Sequence, residues 1–105
     1  MFKVETTGLN FGEALQAMKD GHTVSREGWN GKGMFLLYVP PYDVPKNDVW
    51  GRSQIDQLFL NRRGLDHLPI QGHIDLWTAD NKLCVGWLAS QMDMQANDWC
   101  IVTVV

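Results

Sequence analysis

The chain ends in a strand that has little polarity on either side. Trp99, Ile101, Thr103 and Val105 alternate with Cys100, Val102 and Val104, and because successive strand residues point to opposite faces, both faces come out largely apolar. Such a strand belongs in the middle of a sheet or at a subunit interface. Just before it, Trp87 and Trp99 bracket a segment carrying Ser90, Gln91, Asp93, Asn97 and Asp98. Leu88, Met92 and Gln95 fall there at helical spacing, so a short helix is expected before the last strand. A second cluster of the same kind, Arg26-Glu27-Gly28-Trp29-Asn30-Gly31-Lys32-Gly33, lies far away in sequence. If the two meet, they form an aromatic-walled polar pocket suited to a planar, polar ligand such as a nucleotide base.

The rest of the chain supplies a sheet for these segments to sit on. Met1 to Thr6 alternates like a strand, and Asn10-Phe11-Gly12-Glu13 has the pattern of a capping box. Phe11, Ala14, Leu15 and Met18 then repeat along one helical face, and Gly21 is placed to stop the helix. Residues 22 to 26 and 34 to 39 read as two strands of a hairpin joined by the glycine-rich loop, and Pro40-Pro41 ends the second. Residues 40 to 70 form the least patterned stretch. Within it Ser53 is the expected cap of a helix carrying Ile55, Leu58 and Phe59, closed by Gly64. Gly72 to Thr78 and Leu83 to Trp87 read as a second hairpin around Ala79-Asp80-Asn81-Lys82. The expected fold class is α+β: an antiparallel sheet of about five strands, an N-terminal helix packed on it and a short helix before the last strand.

At 105 residues the expectation is one domain over residues 1–105, with an insert at about 40–70. Apolar runs are too short for a membrane span and no charged-then-apolar leader opens the chain, so a soluble, cytoplasmic protein is expected, with no membrane partner. Cys84 and Cys100 lack metal-type spacing, and two buried thiols are a better expectation than a bridge. A net charge of −3 argues against a nucleic-acid partner.

Catalysis finds little support. His73-Ile74-Asp75 puts an imidazole and a carboxylate on one strand face, with His67 nearby, but no nucleophile elbow, P-loop or metal-ligand spacing is present. No catalytic residue, metal or cofactor is expected. For binding, Trp29 with Trp87 or Trp99 offers rings to sandwich a base, and Arg26 and Lys32, with loop N–H groups, offer partners for phosphate.

Three blocks then become familiar in combination: Phe11-Gly12-Glu13-Ala14-Leu15 through Gly21; Val24-Ser25-Arg26-Glu27-Gly28-Trp29-Asn30-Gly31-Lys32-Gly33-Met34-Phe35; and Trp87-Leu88-Ala89-Ser90-Gln91-Met92-Asp93-Met94 to Asp98-Trp99. Together they resemble the Thoeris anti-defence two family. The resemblance implies a phage protein acting as a sponge, which binds cyclic nucleotide immune signals, glycocyclic ADP-ribose or cyclic dinucleotides, without cleaving them. It also implies a homo-oligomer, dimer or tetramer, with shared pockets. Carried over by motif, Trp29, Asn30, Trp87, Ser90, Gln91 and Asp93 line the pocket, with Arg26 and Lys32 beside them. The competing expectations are a cyclic nucleotide hydrolase and a structural or protein-binding phage component without a nucleotide ligand.

Overall fold

A computed structural model describes residues 2–29, 32–49 and 54–104. The chain is organised as two compact units, one made of residues 1–39 and 73–105 and the other of residues 40–72.

The first unit is an antiparallel sheet of six strands: β1 (Phe2–Leu9), β2 (Thr23–Arg26), β3 (Phe35–Val39), the strand His73–Trp77, the two-residue strand Leu83–Cys84 and the closing strand Trp99–Val104. The closing strand lies between β1 and β2, as its two apolar faces require. It pairs Lys3 with Thr103 and Val4 with Val102 on one side, and Val24 with Ile101 and Ser25 with Cys100 on the other. β1 bulges against it at Val4/Thr6 and Thr6/Leu9. On the far side of β2, Val24 faces Leu36 of β3.

Helix α1 (Phe11–Lys19) covers one face of this sheet. Its start is the expected capping box: the Glu13 N–H donates to Asn10 Oδ1 at 2.8 Å, and the Asn10 N–H donates to Glu13 Oε1 at 3.0 Å. Gly21, at φ +98°, ends the turn beyond it. Ala14, Ala17 and Met18 are buried against Val24, Leu36 and Trp99, with Leu15, Leu76 and Ile101 packed around them. Asn10→Ala removes one half of the box and is expected to cost about 1 kcal/mol, read as a lowered urea midpoint with an unchanged slope.

The second unit holds β4 (Tyr42–Pro45), a single 3₁₀ turn at Lys46–Asp48, helix α2 (Gln57–Arg62) and β5 (His67–Ile70). β4 and β5 pair antiparallel, from Tyr42 opposite Ile70 to Pro45 opposite His67. This ribbon was not expected from the sequence, because Pro45 and Pro69 each remove a ladder donor and a two-stranded ribbon tolerates that. α2 is capped by Asp56, whose Oδ1 accepts the Phe59 N–H at 2.9 Å; Ser53, the expected cap, lies outside the described residues. Gly64, at φ +69°, closes the helix as anticipated.

From here the strand His73–Trp77 is β6, Leu83–Cys84 is β7 and Trp99–Val104 is β8. β7 is shorter than the expected Leu83–Trp87 strand, because Gly86 sits at φ +84° and breaks the extended run. Cys84 is exposed rather than buried; Cys100 is buried, and both thiols are free. The short helix before the last strand is α3 (Gln91–Gln95).

Candidate ligand-binding site

The two tryptophan-bearing segments meet on the helix-covered side of the sheet through a carboxylate hub. β2 places Arg26 directly opposite Trp99 of β8. From there the Arg26 guanidinium reaches two aspartates more than sixty residues away: Nη1 donates to Asp93 Oδ1 at 2.8 Å and Nε donates to Asp98 Oδ1 at 2.9 Å. Asp93 also accepts from Trp29 Nε1 at 3.2 Å and from the Ser90 N–H at 3.0 Å, while its backbone carbonyl accepts from Trp99 Nε1 at 2.9 Å. Ser90 Oγ in turn accepts the Asp93 N–H at 3.0 Å, a second capping box at the start of α3. The second oxygen of Asp98 holds the Gly28 N–H at 2.8 Å. A Cβ at Gly28 would stand 2.8 Å from that oxygen, so glycine is what allows the loop to come this close.

The electrostatics follow from these bonds. Hydrogen bonds to Asp98 and Asp93 raise the Arg26 pKa above its ordinary value. The hydrogen bond from Arg26 is the main cause holding Asp98 below the usual carboxylate range. For Asp93, burial pushes the carboxyl up, and donors from Ser90, Arg26 and Trp29 outweigh it, so the group ends below its ordinary value. Arg26 is therefore a cation already neutralised by two anions.

Rings fill the space beside the hub. Trp29 lies edge-to-face on Trp99, with centroids 5.5 Å apart and planes at 78°, and meets Trp87 at 6.5 Å and 61°. Trp87 meets Trp99 at 6.2 Å and 85°, and Phe11 of α1 touches both Trp87 and Trp99. Edge-to-face packing is the favourable geometry for such rings. It leaves no parallel slot between Trp29 and Trp87 into which a base slides.

An open groove of about 970 Å³ lies against the same loop, on the other side. Its floor is Ser25 of β2 and Cys100 of β8, directly paired in the sheet. One wall is Arg26, Glu27, Trp29, Lys32 and Gly33; the other is Phe35 and Trp77 with Ala79 and Asn81 of the β6–β7 turn; Val4 and Val104 close one end. Phe35 and Trp77 are paired across β3 and β6 and stack at 6.1 Å with planes 16° apart. Lys32 is exposed and has no partner among the described residues.

Of the residues expected from sequence, Arg26, Trp29 and Lys32 border the groove. Trp87, Ser90 and Asp93 stand with Trp29 in the ring-and-carboxylate cluster but do not line the groove, and Gln91 is exposed on the first turn of α3. Asn30 lies outside the described residues. Phe35, Trp77 and Asn81, which do line it, read in the sequence as ordinary strand and turn residues; only the pairing of β3 with β6 brings the two rings together. Asp98 also escaped notice as the second partner of Arg26, although its place beside Trp99 was visible.

The His73 and Asp75 pair does form, Nδ1 to Oδ1 at 2.7 Å, but Asp75 is 1% exposed and also accepts the Gly86 N–H at 3.0 Å. It anchors the loop that leads to Trp87. His67 belongs to the other unit, between Asp66 and Asp43. No three His, Cys, Asp or Glu side chains cluster as a metal site among the described residues.

Comparison with known proteins places these features. Residues 9–102 match the model of the Thoeris anti-defense 2-like domain. The chain is also 38% identical over 98 residues to Thoeris anti-defense 2 of Bacillus phage SP01, an alignment covering 92% of this chain and 98% of that protein. Residues 9–102 take in all three sequence blocks, the carboxylate hub and most of the groove. The chain belongs to the Thoeris anti-defense 2-like family.

Proposed function

We propose that this chain counters Thoeris defence as a phage-encoded sponge in the host cytoplasm, sequestering a cyclic nucleotide signal and leaving it chemically unchanged. One observation carries the reading: a groove open to solvent, walled by aromatic rings and edged by Lys32, Glu27 and Asn81. Rings suit the faces of a base, and a free ammonium suits a phosphate. Trp29, Arg26 and Lys32 border that groove directly, and the cluster of Trp87, Ser90 and Asp93 holds Trp29 and Arg26 in place; Gln91 and Asn30 stay with them as proposed ligand contacts. A sponge needs tight, slow-releasing binding rather than a reacting group.

Subunits associate in this reading. Leu88, Met92 and Val85 are 90%, 71% and 65% exposed, apolar side chains that a subunit contact would cover. Light scattering coupled to gel filtration is expected to return a dimer or tetramer; a monomer throughout the micromolar range removes this part of the proposal.

The sponge is tested by incubating the protein with glycocyclic ADP-ribose, removing free ligand, heating to denature the protein and analysing the supernatant by mass spectrometry. Intact ligand is expected in an amount matching the protein sites. Recovery of a cleaved product favours a hydrolase instead, and recovery of nothing from a protein that never retained the ligand removes the nucleotide reading.

A further inference from the structure

Resting on the sponge reading, we infer that the base of the captured nucleotide stacks on the Phe35 and Trp77 pair, with its phosphate at Lys32, and not between Trp29 and Trp87. The two tryptophans that first suggest a sandwich are already satisfied by each other. Trp29 and Trp87 meet at 61° and both pack around Trp99, which is completely buried. Trp29 is further held by its Nε1 bond to Asp93. Opening a slot there means breaking ring contacts and an indole hydrogen bond together.

Phe35 and Trp77 offer the opposite situation. Directly opposed in the sheet and stacked nearly parallel, they line the groove together as one aromatic pair. The β6–β7 turn fixes that pair: Thr78 and Lys82 close the turn through backbone bonds, Asn81 takes φ +64°, and Asn81 Oδ1 accepts from Trp77 Nε1 at 3.3 Å. The amide N–H groups of Asn81 remain to donate to a base edge, and the Glu27 carboxylate remains to accept from an amino group or a ribose hydroxyl. Charge then orients the ligand. Arg26 has both aspartates against it, so Lys32, exposed and without a described partner, is the groove cation that a phosphate meets.

Calorimetric titration of glycocyclic ADP-ribose into the wild-type chain, Trp77→Leu, Trp77→Phe and Phe35→Leu tests this, with urea midpoints confirming that each variant is folded. Loss of one stacking ring is expected to weaken binding by about 5- to 150-fold in Trp77→Leu, and Trp77→Phe recovers most of it. In parallel, indole N–H resonances assigned by single Trp→Phe substitution are followed: Trp77 shifts on titration while Trp99 stays in place. Should Trp77→Leu not fold, Phe35→Leu is read in its stead and is expected to weaken binding at least about fivefold. Wild-type binding with unchanged affinity in the folded variants overturns the platform and leaves the sponge standing. A wild-type chain that binds nothing overturns both.

Discussion

Asp93→Ala is expected to destabilise the first unit by about 2–4 kcal/mol, the range for removing one partner of a largely buried ion pair with some access to water. The side chains of Arg26 and Asp93 are 16% and 12% exposed, so the pair is neither dry nor screened. Removing the carboxylate strands three donors at once: Arg26 Nη1, Trp29 Nε1 and the Ser90 N–H. Asp93→Asn is expected to lie close to alanine despite its similar shape, because an amide brings its own donors to a site where every neighbour donates. Urea unfolding measures both. A double variant, Arg26→Met with Asp93→Ala, is expected to lose less than the sum of the single losses, since the stranded cation goes with its partner. Additive losses, or an alanine variant as stable as the parent, contradict the hub.

The same hub sets an acid limit. Asp93 and Asp98 both titrate below their ordinary values when folded. A depressed carboxylate contributes stability that is complete above the unfolded-state pKa, near 4, and fades as the pH drops through the folded-state value. The parent is therefore expected to lose stability below about pH 4, and Asp93→Ala to show a shallower loss over that range.

Much of this arrangement was legible in the sequence because its signals are local. Asn10 with Glu13, the stripe ending at Met18, and the two apolar faces of Trp99–Val104 each follow from side-chain chemistry at fixed spacing, and each is present in the fold. The convergence of the Trp29 and Trp87 segments was also visible, as two unusual concentrations of indole and polar groups. What escaped is non-local. Ser90 and Asp93 cap each other across three residues, a local signature the sequence carries, but the reach of the Asp93 carboxylate to Arg26 and Trp29 depends on the fold. The Phe35 and Trp77 pair depends on strand register, which one strand does not reveal by itself. β4 and β5 were hidden by their prolines.

Trp99→Ala is expected to be the most damaging single substitution, at about 3–5 kcal/mol, a large share of what a domain of this size has in total. Trp99 has no exposed surface and closes the ring cluster against Phe11, Trp29 and Trp87, with centroids 5.5 to 6.2 Å away. Truncation leaves a cavity that three rings on different elements cannot all collapse into. It also strands the Asp93 carbonyl that the indole N–H had satisfied. Trp99→Phe separates the two effects: it keeps a ring in place but not the donor, so its loss of about 1–3 kcal/mol reports mainly on the carbonyl. In a thermal melt followed by circular dichroism, alanine is expected to lower the midpoint by roughly 15 °C or more and phenylalanine by less than half as much. Equal losses for the two would assign the cost to the hydrogen bond, and a small loss for alanine would mean that Trp99 is not the centre on which the two tryptophan segments close.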